Sequence, residues 1–305
     1  MKFKYKNFFS HLVKSVFATH CFVLSALAAT NSNSKTPPPS YALDLPTASL
    51  AAYSGLGAAA PGDYSSADVN PAIMSAFKKQ YVLFGDTSWQ HYDNLVGGGI
   101  FDNTTTSIAT LLHVRESVPN DIDSRDRRFT LGLSYQIPKT NLSLGLTANY
   151  EQLVLTNLTS SSSSYNYFAG TGFLYEYIMK SGRPIFIGVG VNKIFDTDSS
   201  IEYDTGISTA FFDGFYSLSL DGLSSNISGL EKVVGSLQIV ANQYLDLKGS
   251  YGYLTKDQKN AWGAGIFFHA PVIQLFYTFA SSDIGDTNSV RQTAGCALNF
   301  IFDSK

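Results

Sequence analysis

The sequence has 305 residues, enough for one large or two small domains, and a net charge of −3 with no basic stripe, which argues against nucleic acid as a partner. Charged residues make up 15%, hydrophobic residues 44% and aromatics 14%, where soluble domains carry about 25% charged residues. Few charges, many aromatics and abundant Gly, Ser and Thr suit a barrel whose outer face meets lipid, and they also suit a secreted β-sandwich.

The first predicted element is a targeting signal. Lys2, Lys4, Lys6 and Lys14 supply a positive n-region, residues 15–27 are largely apolar, and Ala26-Leu27-Ala28 has the small-x-small pattern of a signal-peptidase site. Residues 1–28 are therefore read as a cleavable signal peptide, the apolar run being short for a membrane span. Ala18-Thr19-His20 before Cys21 lacks the leading Leu of a lipobox, which argues against a lipoprotein. Loss of the signal leaves Cys296 as the one cysteine, so no internal disulfide is expected. Residues 31–40, NSNSKTPPPS, read as an extended linker. Residues 41–78 are rich in Ala, Gly, Ser and Pro, show neither helical nor strand period, and read as a compact irregular segment before the first strand.

From residue 79 onward the period is two. Phe129, Leu131, Leu133, Tyr135 and Ile137 alternate with Thr130, Gly132, Ser134 and Gln136. Leu142, Leu144, Leu146, Ala148 and Tyr150 alternate with Ser143, Gly145, Thr147, Asn149 and Glu151, and the pattern returns between Val290 and Phe302. In a soluble sandwich the apolar face would fill a core; in a membrane barrel it faces lipid and the small polar face lines the lumen. Runs of about 10–15 residues favour the barrel, because tilted membrane strands need about 9–11 and ordinary strands average about 5–6. Residues 261–280 carry no formal charge and would pass for a membrane helix, but Gly263, Gly265, Pro271 and the alternation of Trp262, Ala264, Ile266 and Phe268 predict a hairpin turning at His269-Ala270-Pro271. Long and short connections alternate backward from the C-terminus, the long ones including 116–127, 156–164 and 221–231, the short ones including Asp213-Gly214. This leaves thirteen strands. Bacterial barrels with both ends on one side need an even number, so a further strand is expected at residues 95–101 (LVGGGIF). The expectation is an all-β transmembrane antiparallel barrel of fourteen strands, or twelve if short segments merge.

Residues 51–84 include Gly55, Gly57, Ala58, Ala59, Ala60, Asp63, Ser66, Ala67 and Asp68, followed by Asn70-Pro71-Ala72. This arrangement resembles the N-terminus of the FadL-type family of outer-membrane transporters, which includes fatty acid and aromatic hydrocarbon channels and relatives in type IX secretion. The resemblance implies that residues 29–78 are a linker and plug, with Asn70, Pro71 and Ala72 as the plug motif, and that residues 79–305 form a fourteen-stranded barrel. It departs from the family at Ile73-Met74, where Gly and a small residue are usual. The barrel is also short for the family, which implies reduced outer loops, and Asp303-Ser304-Lys305 follow the aromatic residue on which such chains usually end.

No catalytic residue and no metal or cofactor site is expected. GxSxG, phosphate-binding Gly loops and metal-ligand clusters are absent from the sequence. His91, His113 and His269 read as structural or interfacial, and Gly97-Gly98-Gly99 as lumen-facing or bulged strand. Asp121, Asp123 and Asp126 with Arg125, Arg127 and Arg128 form the densest charge group, placed in an outer loop where the arginines could meet lipopolysaccharide phosphates; the ligand spacing of a calcium loop is missing. Lumen-facing charges are expected to be few, with Glu151, Glu176, Lys248 and Arg291 as candidates. A weak field suits neutral or amphipathic solutes better than ion selection. The leading functional expectation is passive uptake of hydrophobic molecules such as long-chain fatty acids. Its partners would be membrane lipid, lipopolysaccharide, the ligand and the barrel-assembly machinery. The alternatives are a non-transporting barrel, as a secretion component or adhesin, and a secreted sandwich, which the sequons at Asn103, Asn141, Asn157 and Asn226 would permit.

Overall fold

The computed structural model describes residues 57–59, 64–76, 80–90, 93–119, 124–157, 160–196, 200–255, 258–281 and 290–301. The expected signal peptide, the linker and the chain end beyond residue 301 lie outside them. Two 3-10 turns, Tyr64–Asp68 and Pro71–Ala76, precede the sheet. The strands are β1 (Gln80–Gln90), β2 (Asp93–Asp102), β3 (Ile108–Pro119), β4 (Ser124–Gln136), β5 (Leu142–Asn157), β6 (Ser160–Ile178) and β7 (Pro184–Ile194). They continue with β8 (Glu202–Phe211), β9 (Tyr216–Ser225), β10 (Gly229–Asn242), β11 (Leu245–Leu254), β12 (Lys259–His269), β13 (Ile273–Ser281) and β14 (Val290–Ile301). Each pairs antiparallel with its sequence neighbours, and β1 pairs with β14 from Gln80↔Ile301 to Trp89↔Gln292, so the sheet closes. Fourteen strands are present and not twelve. The one sought in residues 95–101 is β2, held between β1 and β3.

Register fixes which face each residue takes, because cross-strand partners share a side. Leu131↔Ala148 and Leu133↔Leu146 lie on the outside, while Thr130↔Asn149, Gly132↔Thr147 and Ser134↔Gly145 lie on the inside. Leu131, Leu133, Leu144 and Leu146 are exposed, and Thr130, Ser134, Ser143 and Thr147 are buried. That is the reverse of a soluble protein and excludes the sandwich, whose leucines would be covered. Aromatic residues mark the two edges of this apolar band. Tyr135, Tyr175, Tyr177, Phe212, Phe215, Tyr244 and Phe268 stand at the end carrying both termini of the sheet; Phe129, Tyr150, Tyr167, Tyr203, Tyr251 and Trp262 stand toward the other. Such girdles sit where hydrocarbon gives way to headgroups. The molecule is a barrel of the bacterial outer membrane.

Leu146, 61% exposed, lies between the girdles. Leu146→Arg is expected to cost about 2–4 kcal/mol of folding into a bilayer, measured by urea titration in phospholipid vesicles. A water-facing Leu146 would give a change near zero.

The outer connections are shorter than the pattern suggested. Strands continue through most of 116–127, 156–164 and 221–231, so the joining residues shrink to 120–123, 158–159 and 226–228. Above the membrane the outward face meets water. There the apolar member of the alternation disappears while the hydrogen-bond ladder continues, as in Glu116↔Arg127 and Ser117↔Asp126. The charge group expected in an outer loop is therefore divided by a strand. Arg125 and Arg127 point outward toward Glu116, at 3.7 and 3.4 Å, whereas Asp126 and Arg128 point inward. Asp121 and Asp123 lie outside the described residues. Asp213-Gly214 is not a two-residue hairpin; the chain turns through a 3-10 turn, Phe212–Gly214, with positive φ at Phe212 and Gly214.

The seat of the N-terminal segment

The described part of the N-terminal segment packs against the inner face of β4, β5 and β6. Its centre is Asn70, fully buried. The Asn70 Nδ2 group donates to Ala58 O (2.7 Å) in the segment itself and to Phe173 O (3.0 Å) in β6. Its Oδ1 accepts from Ala72 N at 3.1 Å, an Asx turn that starts the Pro71–Ala76 3-10 turn. Pro71 opens that turn, where a missing N–H costs nothing and the fixed φ is already correct.

The wall accommodates this backbone by omitting side chains. A Cβ on Gly145 would run into Pro71 C and Ala72 N; one on Gly172 would meet Asn70 Oδ1; one on Gly188 would meet Ala58 O; and one on Gly190 would meet Val69 O. These four glycines face inward on β5, β6 and β7, and together they form a ledge on which main chain lies against main chain. Hydroxyl and amide groups then satisfy the carbonyls of the segment. Ser134 Oγ donates to Ala72 O (3.1 Å), Asn192 Nδ2 donates to Val69 O (2.9 Å), and Ser208 Oγ donates to Ala59 O. The Asp221 carboxylate accepts the N–H groups of Ala58 and Ala59. These bonds satisfy main-chain groups at Ala58, Ala59, Val69 and Ala72, as burial of backbone requires.

Farther toward β1–β3 the contacts change in kind. Asp68 forms an ion pair with Arg115 of β3, and His113 Nδ1 lies 3.6 Å from the same carboxylate oxygen. Burial works to raise the Asp68 carboxyl, but the Arg115 guanidinium outweighs it, helped by His113 and Arg128, and holds the group well below the usual carboxylate range. A depressed folded value means that the pair stabilises the seat above the ordinary carboxylate value, about 3.9, and is lost only as pH falls through strong acid. Alongside, Ala67 and Met74 pack with Val82, Phe84, Phe101 and Leu111, the inward apolar residues of β1, β2 and β3.

The residues singled out from sequence are placed as follows. Asn70, Pro71 and Ala72 lie on the glycine ledge. Glu151 forms an ion pair with Arg128 on the inner wall; Glu176 is half-buried near the end of β6. Lys248 Nζ stands 4.2 Å from the centre of the Phe267 ring, and Arg291 is buried on β14. These four charges come from β5, β6, β11 and β14 and are not brought together. The expectation of few inward charges is corrected. Asp86, Arg115, Asp126, Arg128, Asp204, Asp221 and Lys232 also face the interior, all but Arg128 less than a tenth exposed. Parity along β1, β3, β4, β8 and β10 would have found Asp86, Arg115, Arg128, Asp204 and Lys232; assigning residues 116–127 and 221–231 to loops hid Asp126 and Asp221.

His113 is buried beside Asp68, and His269 is the last residue of β12, with its Nε2 3.1 Å from Asp246 Oδ2; His91 lies outside the described residues. Gly97 and Gly99 face inward in an unbulged β2. Cys296 is a free, half-buried thiol. Among the described residues no cluster of His, Cys, Asp and Glu is arranged to hold a metal ion.

No family model and no curated protein matches the sequence. Among solved structures, the chain is similar to the CymD monoaromatic hydrocarbon channel, with a TM-score of 0.60 at 10% identity, covering 87% of this chain and 100% of that one. It is similar to the toluene transporter TbuX of Ralstonia pickettii, with a TM-score of 0.57 at 10% identity over 85% and 98% of the two chains. The toluene transporter TodX of Pseudomonas putida gives a TM-score of 0.57 at 11% identity over 85% and 99%. At these identities the likeness is one of fold.

Proposed function

We propose that this chain, an outer-membrane barrel with the FadL-type fold, is a channel for passive uptake of hydrophobic small molecules. The observation that carries the reading is the seated N-terminal segment. Barrels of about eight strands are filled by their own side chains, and those of sixteen to eighteen leave an aqueous channel. Fourteen strands leave a lumen that must be partly blocked if it is not to leak, and here the block is a built one, with glycines cut into the wall to receive it. The three solved structures named above are channels or transporters of aromatic hydrocarbons, by their own descriptions. Toluene-sized aromatics and long-chain fatty acids are the cargoes proposed here. Transport runs down the concentration gradient, with no cofactor and no catalytic step.

Lipid and lipopolysaccharide are the surroundings proposed for the outer face. Arg125 and Arg127 stand above the aromatic row of Phe129, Tyr150 and Tyr167, at the level of headgroup phosphates.

The test is uptake of labelled toluene at limiting concentration. Cells deleted for the gene are expected to accumulate it more slowly, with recovery on complementation. Equal uptake with and without the barrel would overturn the reading.

A further inference from the structure

The sheet is not level at its outer end. β5 and β6 stay paired from Leu142↔Tyr175 to Asn157↔Ser160 without a break in register, whereas β7 leaves β6 at Ile194↔Ala169. Among the described residues, Ser160–Phe168 is therefore paired on one side only. Ladder parity tells which of its groups are left over. In an antiparallel pair, alternate residues turn both N–H and C=O toward the partner and the residues between turn both away. Glu176 N donates to Asn141 O on the β5 side, and Met179 N donates to Arg183 O on the β7 side. Even-numbered residues of β6 thus bond to β5. The main-chain groups of Ser161, Ser163, Tyr165 and Tyr167 point into the space above β7.

β7 turns away from that space. Lys193 and Phe195 have positive φ, Asp196 N donates back to Lys193 O, and Asn166 Nδ2 donates to Asp196 Oδ1 at 2.9 Å on the inner side. Two other overhangs at this end are closed by side chains or turns. Beyond Gly263↔Ala280 the Ser281 hydroxyl bonds to both N and O of Trp262, and beside β10 Thr255 reaches Glu231 O and Leu230 O. Exposed edges are commonly blunted by Lys, Pro or a bulge. Ser160–Phe168 reads SSSSSYNYF, with neither Lys nor Pro, and its register with β5 is unbroken.

We propose that this edge is a strand-addition site, which takes an extended segment of a second, non-barrel polypeptide outside the cell. Alternating N–H and C=O groups fix the occupant's backbone as an extended one. Tyr165 and Tyr167 bear on its outward side chains. Their rings pack toward β5 on Tyr150, with centroids 6.0 and 5.1 Å away, which leaves the edge clear and offers an aromatic flank to β-branched or aromatic neighbours. Phe195, one residue past the last β7 rung, adds an apolar contact at the foot of the edge and is 82% exposed. No charged residue lies along SSSSSYNYF, so nothing there selects a charged segment. A second copy of this chain does not fit. Barrel strands tilt about 35–45° from the membrane normal, so two upright barrels in contact would cross their β6 strands at about 70–90° instead of laying them side by side.

The probe is the peptide acetyl-Thr-Val-Thr-Val-Thr-Val-Thr-amide, added to the full-length protein in detergent, with amide exchange read residue by residue by NMR. In the free protein Ser163, Tyr165 and Tyr167 are expected to exchange fast, and Ser164 and Asn166, bonded to β5, slowly. Peptide at ten times its dissociation constant is expected to slow the three fast amides about tenfold. An analogue N-methylated at every residue keeps the side chains without the donors and is expected to slow none of them. Ser163→Pro removes an edge donor and sets a ring on the edge while sparing the bonds to β5. It is expected to keep heat-modifiable migration and to weaken the peptide at least about tenfold.

The wild-type measurements stand whether or not that variant folds. Slow exchange of Ser163, Tyr165 and Tyr167 in the free protein would show the edge already covered and would overturn the proposal. So would unchanged rates at about 1 mM peptide, equal slowing by the N-methylated analogue, or a folded Ser163→Pro barrel that binds the peptide as wild type does.

Discussion

Gly145→Val is expected to unseat the N-terminal segment while leaving the barrel closed. Valine is a good strand residue, so nothing in β5 itself resists it. The conflict lies across the lumen, where the new side chain would occupy the positions of Pro71 C and Ala72 N. Overpacking costs about 1–3 kcal/mol where neighbouring side chains can shift. Main-chain atoms held by Asn70 and Ser134 cannot shift without giving up those hydrogen bonds, so the cost falls at or beyond the upper end. The variant should still migrate as a heat-modifiable barrel, and liposomes containing it should swell in sugars that the wild type retains. Gly235→Val is the control. Its Cβ would meet nothing closer than Tyr251 O at 4.0 Å, so no leak is expected. A tight Gly145→Val barrel with unchanged amide exchange in residues 71–76 would show that the ledge does not seat the segment.

Asn70→Ala is expected to loosen the same segment from the other side. It removes two donated hydrogen bonds and one accepted one, all of them buried or partly buried. Each buried polar group left without a partner costs about 1–3 kcal/mol. Ala58 O and Ala72 N are the groups most exposed to that loss, because Phe173 O also belongs to a strand. Asn70→Asp should be at least as damaging as the alanine change. It keeps an acceptor for Ala72 N but sets a carboxylate against two carbonyls. Hydrogen exchange at residues 57–59 and 72–76 checks both: protection should drop in each variant while β8–β14 stays protected. Equal protection in wild type and Asn70→Ala would sink the idea that this side chain ties the segment together.

Much of the fold was legible along the chain. Strand order, parity and the existence of β2 follow from alternation and from the need for an even count, and the outward direction of Leu131, Leu133, Leu144 and Leu146 follows from long apolar strands with small polar partners. The outer limits of β3–β6, β9 and β10 were not legible. Period-two hydrophobicity reports burial in lipid, and above the bilayer the ladder persists without it, as in the Ser-rich start of β6. Asn70, Pro71 and Ala72 stood out by family resemblance. The residues that receive them did not, because a glycine in a strand gives no local sign of what lies opposite it.

By itself the sequence determined an all-β chain of long strands and which residues of a strand share a face, since both depend on near-neighbour chemistry repeated every second position. Only the tertiary structure decided that Gly145, Gly172, Gly188 and Gly190 make one ledge, that Asp68 meets Arg115, and that the interior is heavily charged. Those contacts join residues dozens of positions apart, and closure of the sheet sets their distances. No pattern local to either partner encodes them.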